Sequence, residues 1–217
     1  MDFWPLKYSN KAVLFSIIVT TGISLVFFRF FMPAGLMIAG LALVILFFYG
    51  LNYYSLNWRS VPPRSFEKKI FYYSFLFRFL FVLYLYLLTY IVDPASFPFE
   101  INAADSWVYH NAAFKLEWTP FKDYYEVLQK QMGATSDFGF PVYLSLIYKI
   151  FGLFTLPVRL INCLLGSLTV VYLSRIARSL FTENHARITG VIAMIFPSLL
   201  WFGAIQIKET LMIYFVI

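Results

Sequence analysis

Charge is scarce in this sequence. Asp, Glu, Lys and Arg make up 13% of its 217 residues, against about 25% in an ordinary soluble domain. The chain has one cysteine and two histidines. A single thiol excludes an internal disulfide, and Cys163, inside an apolar run, is expected to be a small buried hydrophobe. His110 has no second histidine at metal-ligand spacing, so it reads as a solvated loop residue rather than a ligand. No small-residue cleavage site follows the first apolar run, so a cleavable signal peptide is not expected. There is no internal repeat and no low-complexity linker.

Apolar residues are abundant instead: 61% of the chain is hydrophobic and 22% aromatic. Several stretches run roughly 20 residues almost without charge, the length needed to cross a bilayer. The sequence predicts an all-α fold, a polytopic transmembrane helical bundle with a long external loop carrying short juxtamembrane helices. The net charge of +6 points to topology rather than to nucleic acid, because basic residues gather in cytoplasmic loops.

The first span is read as Lys11 to Met32. Pro33 and Gly35 turn the chain, and a second span runs to about Leu51. Residues 52–69, "NYYSLNWRSVPPRSFEKK", carry Arg59, Arg64, Lys68 and Lys69 against Glu67. This basic loop is expected in the cytoplasm, with the N-terminus on the same side. The third span, Ile70 to Val92, runs outward and contains Arg78, read as an arginine snorkelling toward the cytoplasmic end, with an internal pairing role as the alternative.

Residues 93–137 then form a long external loop holding seven of the chain's eleven acids: Asp93, Glu100, Asp105, Glu117, Asp123, Glu126 and Asp137. A loop of this length inside a compact chain points to binding or catalysis. Next, "FGFPVYLSLIYKIFG" (138–152) covers only about 22 Å as a helix, short of the roughly 30 Å of hydrocarbon. Residues 139–152 therefore read as an interfacial helix on the outer face. Arg175, Arg178 and Arg187 mark a second cytoplasmic loop, so a fourth span (Leu156 to Leu173) runs inward. A fifth, Ile188 to Ile207, runs outward by about 30 Å. Lys208 and Glu209 are thereby expected on the same face as Asp105. Leu211 to Ile217 is too short to cross, so the sequence is expected to be the N-terminal fragment of a longer protein, inactive by itself.

Asp105 has two readings. Asn102 could cap a helix starting at Ala103, with Asp105 favouring that helix end. Alternatively, Asp105, Tyr109 and Ala113, spaced by four, share one helix face, where a carboxylate can act as a general base. Asp137 reads as a cap of the interfacial helix or a weaker site candidate. Arg159 reads as an anchor of the fourth span or a weaker candidate.

The order of these motifs carries a resemblance: a span, an external D-x-x-x-Y-x-x-x-A helix, the Gly-Phe-Pro segment and a short helix ending in "FG". "VRLINCLLGSLTVVYLSRIARSLF" and "PSLLWFGAIQIKE" follow. Residues 70–217 resemble the GT-C superfamily of integral-membrane glycosyltransferases, in the branch of protein O-mannosyltransferases and lipid A aminoarabinose transferases. The resemblance divides the chain into an N-terminal transmembrane hairpin with its basic loop (1–69) and the start of a GT-C-like catalytic module (70–217, first external loop 93–155). It implies transfer of a sugar from a polyprenyl-phosphate donor to a lipid, glycan or protein acceptor on the non-cytoplasmic face of a bacterial inner or plasma membrane. Asp105 then matches the catalytic acid of the first external loop, and Glu209 the second acid, near the active site or a divalent metal ion. Lys208 is placed to meet the donor phosphate. Ser106 stands where many relatives carry a second acid, which weakens a paired-carboxylate metal site in the loop. A transporter or lipid flippase subunit, or a non-catalytic envelope assembly protein, are the competing readings. A transporter would show ionisable residues at the bilayer midplane and discontinuous helices.

Overall fold

The computed structural model describes residues 3–26, 34–101, 104–133 and 137–217. Among them the chain is all helical: α1 (Leu6–Val26), α2 (Ala34–Trp58), α3 (Pro63–Val92), α4 (Ala104–Glu117), α5 (Tyr124–Met132), α6 (Gly139–Phe151), α7 (Thr155–Leu180), α8 (Glu183–Ile195), α9 (Pro197–Ala204) and α10 (Glu209–Val216). Pro94–Ser96 and Phe121–Asp123 form single 3₁₀ turns. The expected helical membrane bundle is borne out. Among the described residues three helical stretches are long and apolar enough to span, Gly40–Trp58, Pro63–Val92 and Thr155–Leu180. Only 22% of the α3 window is buried within the protein. The remaining apolar surface, including Leu87, Tyr90 and Ile91, suits contact with lipid. The first expected span lies partly in residues 27–33, outside the described residues.

The chain forms two compact units, Met1–Ile70 with Val171–Phe196, and Phe71–Val170 with Pro197–Ile217. In the first, α1 packs on α2 and α2 on α8. Here the expected loop 52–69 contracts to a turn at Arg59–Pro62, because α2 continues through Trp58 and α3 begins at Pro63. Polar residues that looked like loop are satisfied inside the bundle: Asn52 donates to the Trp4 carbonyl at 3.0 Å, and Ser55 Oγ accepts from the Trp4 amide at 2.6 Å. The two basic segments expected on one side of the membrane are tied together. Glu67 accepts from Arg175 at 2.7 Å and from Arg178, and Glu183 joins Arg178 (2.7 Å) to Arg187 (3.0 Å). Arg187 also donates to the Trp58 carbonyl at the end of α2 and to the Val61 carbonyl just beyond it. Gly190 lets α8 approach closely, since a Cβ there would lie 2.5 Å from Ile70 Cδ1.

In the second unit α4 lies along α6. Tyr109, Ala113, Phe140, Leu144, Tyr148 and Val158 form the core between them. α5 closes the other side of α4 through Ala112, Leu116, Tyr124 and Leu128, and ends at Gly133, whose φ of 63° is the left-handed conformation glycine tolerates. α6 covers 13 residues, the short helix expected from 139–152. Cys163 is buried, as expected, with Val82, Leu85 and Ala204.

Two expectations are corrected here. The fifth span is not one helix: α8 ends at Ile195, Phe196 is extended (φ −65°, ψ 120°), and α9 starts at Pro197. Proline lacks the N–H and disfavours helical geometry in the residue before it. The continuous rise that carried Lys208 to the outer face therefore does not apply. Arg78 does not snorkel. Its side chain is buried, with Nη1 donating to the Ser74 carbonyl (3.3 Å) and hydroxyl.

Candidate functional site

The first helical turns of α4 and α10 and the segment entering α6 supply the site. Asp105 lies exposed in the first turn of α4, and Tyr109, one turn on, is buried. The Tyr109 hydroxyl donates to Asp137 Oδ2 at 3.2 Å, while Lys208 Nζ donates to Asp137 Oδ1. Asp137 is thus no helix cap: its carboxylate joins α4 to the residue that precedes α10. The lysine hydrogen bond holds the Asp137 carboxyl below its ordinary pKa, and the same bond raises the Lys208 ammonium. Burial pushes the Tyr109 phenol up, with Asp137 and Asp105 adding to the effect. The negative field of Asp105 thus reaches the Tyr109 hydroxyl, although Asp105 itself has no ion-pair partner among the described residues.

Asp137 and Lys208 form the polar end of a cavity of about 590 Å³. Its other walls are apolar: Phe140 and Tyr143 from α6, and Leu211, Met212, Phe215 and Val216 from α10. A slot with one ion pair and two greasy helices suits an amphiphile with a charged head.

A second polar network, which the sequence did not reveal, fixes this segment from behind. Arg159 is fully buried, donating to the Pro98 carbonyl at 2.9 Å and to Glu100 Oε2 at 3.3 Å, and lying 4.5 Å from the Tyr86 ring centroid. The expected anchor is therefore a buried partner of Glu100. Ser106 donates to Glu100 Oε1 and to the Gln206 carbonyl at 3.3 Å. Gln206 Nε2 donates to the Tyr148 hydroxyl (2.6 Å), which also meets His110 Nδ1 (2.8 Å). Asn162 donates to the Ile205 carbonyl at 2.9 Å. The non-helical residues leading to Lys208 are held at both backbone and side chain. His110 is thus no solvated loop residue: it packs on Phe99 and Tyr148, centroids 5.0 and 5.4 Å apart. Burial lowers its pKa and pushes the Tyr148 phenol up to about 12.

The remaining candidates are placed as follows. Glu209 opens α10, and its Oε2 is buried without a partner. Asn102, the expected cap, lies outside the described residues, and α4 begins at Ala104 rather than Ala103. Among the described residues no three His, Cys, Asp or Glu side chains cluster as metal ligands.

Residues 138–217 match the family model described as dolichyl-phosphate-mannose-protein mannosyltransferase. Over these residues the chain is similar to that family of glycosyltransferases. The matched segment contains α6, the apolar cavity walls, Lys208 and Glu209; α4 and Asp137 precede it. No curated protein and no solved structure matches the chain.

Proposed function

We propose that the chain belongs to an enzyme that moves a sugar from a polyprenyl-phosphate donor to a hydroxyl acceptor on the non-cytoplasmic face of the membrane. The observation that carries this reading is the cavity: an ammonium at one end and apolar walls from α6 and α10 match a phosphate with a hydrocarbon tail. Lys208 binds the donor phosphate, exchanging Asp137 for it. In the transfer step the acceptor oxygen forms a bond to the sugar's anomeric carbon as the bond from that carbon to the phosphate oxygen breaks. The phosphate leaves with the electron pair, and its developing charge is stabilised by Lys208. The acceptor proton passes to a carboxylate, for which Asp105 is the proposed base: exposed, without an ion-pair partner among the described residues, and close enough to bias Tyr109. Asp137, bonded to Tyr109 and Lys208, positions the lysine.

The transporter reading gains two observations, the break at Phe196–Pro197 and the buried Arg78. The void beside Arg78 is only about 10 Å³, too small for a sugar or a lipid headgroup. Transfer in native membranes from a radiolabelled polyprenyl-phosphate sugar decides between them. Lys208→Met should lower transfer by about 10²–10³-fold and Asp105→Asn should abolish it, each with the protein still inserted. Sugar movement across the membrane without covalent transfer would establish the transporter.

A further inference from the structure

Arg78 sits in the apolar run "LFRFLF" of α3, where a charge is costly unless something neutralises it. Among the described residues no carboxylate forms an ion pair with it. Its Nη1 is committed to Ser74, but both acceptors there are neutral. Nε has no hydrogen-bond partner. Arginine stays protonated in proteins, so the cation cannot be relieved by losing a proton.

The surroundings are built to hold this side chain in place. A Cβ on Gly166 of α7 would come 2.7 Å from Arg78 Nε, and one on Gly203 of α9 would come 3.0 Å from it. The guanidinium therefore lies between two glycines. Beside it is a small void of about 10 Å³ bordered by Arg78, Gly166, Thr169, Thr210 and the apolar Leu199, Phe202 and Ile213. That is room for one water-sized particle. A second orphan faces the same problem: Thr169 Oγ1 is buried without a partner. Thr210 does not compete, because its hydroxyl donates to the Phe202 carbonyl at 2.7 Å.

We infer that the void beside Arg78 is a binding site for one small inorganic anion of halide size. Such an ion accepts from the guanidinium and from the Thr169 hydroxyl together. It also neutralises the charge, which a water in the same place does not. The site ties α3 to α7 and α9 near Thr210, one residue beyond Glu209, and is separate from the cavity at Asp137 and Lys208. It stands independently of the proposed transfer activity.

The test uses the purified chain in lipid nanodiscs, with thermal unfolding followed as gluconate is replaced by chloride or bromide at constant ionic strength. Anything that binds the folded state alone raises the midpoint by mass action. The midpoint should rise and saturate with either halide, and bromide crystals should show one anomalous peak between Arg78 and Thr169. Arg78→Met should remove the halide dependence, and Thr169→Val should move its half-saturation to higher concentration. A midpoint indifferent to halide, an empty anomalous map at the void, or a full halide response in Arg78→Met would each overturn the assignment and leave a water there instead.

Discussion

Lys208 and Tyr109 share one carboxylate. The ammonium takes Oδ1 of Asp137, 71 residues earlier in the chain, and the phenol takes Oδ2 at 3.2 Å. A lysine held this way is oriented at the mouth of the cavity, yet its partner is exposed enough to be exchanged for a phosphate. Asp137→Asn should therefore strengthen donor binding, lowering the donor KM several-fold while kcat changes less. Lys208→Met should lower kcat by about 10²–10³-fold, the usual loss when a charge-stabilising donor is removed. Steady-state kinetics with a polyprenyl-phosphate sugar separate the two.

Asp105 sits in the first turn of α4, where an acid helps the helix whether or not it helps chemistry. Asp105→Asn keeps the shape and a capping oxygen, so stability should change by less than about 1 kcal/mol. Transfer should be lost. Near-normal transfer with Asn at 105 would reduce Asp105 to a helix-end acid.

The buried Arg159–Glu100 pair predicts a stability effect rather than a catalytic one. Glu100→Gln leaves the arginine charge uncompensated and should cost about 3–5 kcal/mol, read as a lower unfolding midpoint in nanodiscs. Gly166→Ala drives a methyl to 2.7 Å from Arg78 Nε and should cost about 1–3 kcal/mol by overpacking. Gly40→Ala, with nothing within 4 Å of the new Cβ, should be neutral or slightly stabilising in α2.

Acid should weaken the fold through His110. Its pKa is lowered by burial, so the unfolded chain takes up a proton near pH 6.5 while the folded chain does not. That contribution is intact above about pH 6.5 and is lost as pH falls toward the lowered folded value. His110→Gln should flatten stability in this window. Asp137 acts at lower pH. Its stabilisation is present above the ordinary carboxylate pKa and disappears as pH falls through its depressed folded value, a dependence absent in Asp137→Asn.

Much of the fold is legible in the sequence because long charge-free runs leave few alternatives: α3 and α7 lie where the apolar windows put them, and α6 is the short helix its length demanded. What could not be read depended on distant partners. Asn52 and Ser55 look like loop until Trp4 satisfies them. Arg78 looks like a snorkelling side chain until Gly166 and Gly203 make room for it. His110 and Tyr148 stand 38 residues apart, beyond any local spacing rule. Pro197 was a readable signal that the fifth run is interrupted, and the apolar count outweighed it. Within the site, Lys208, Tyr109 and Asp137 were all visible as separate candidates, but only the packing of α4 on α6 brings them together.

The ends of α3 test the expected sidedness. Its 30 residues separate Ser60 from Ser96 by about 45 Å of helix. Cysteine at Ser96 should react with an impermeant thiol reagent in intact cells, and cysteine at Ser60 only after permeabilisation. The reverse pattern would move the proposed site to the cytoplasmic face.

Photo-crosslinking in native membranes, with a polyprenyl-phosphate probe bearing a diazirine in its first isoprene units, reads the donor site directly. Peptide mapping should place the adducts on Phe140, Tyr143, Leu211 or Phe215, and Lys208→Met should abolish them while Glu67→Gln does not. Adducts confined to other helices, or labelling of these four residues undiminished in Lys208→Met, would contradict a donor phosphate held by Lys208.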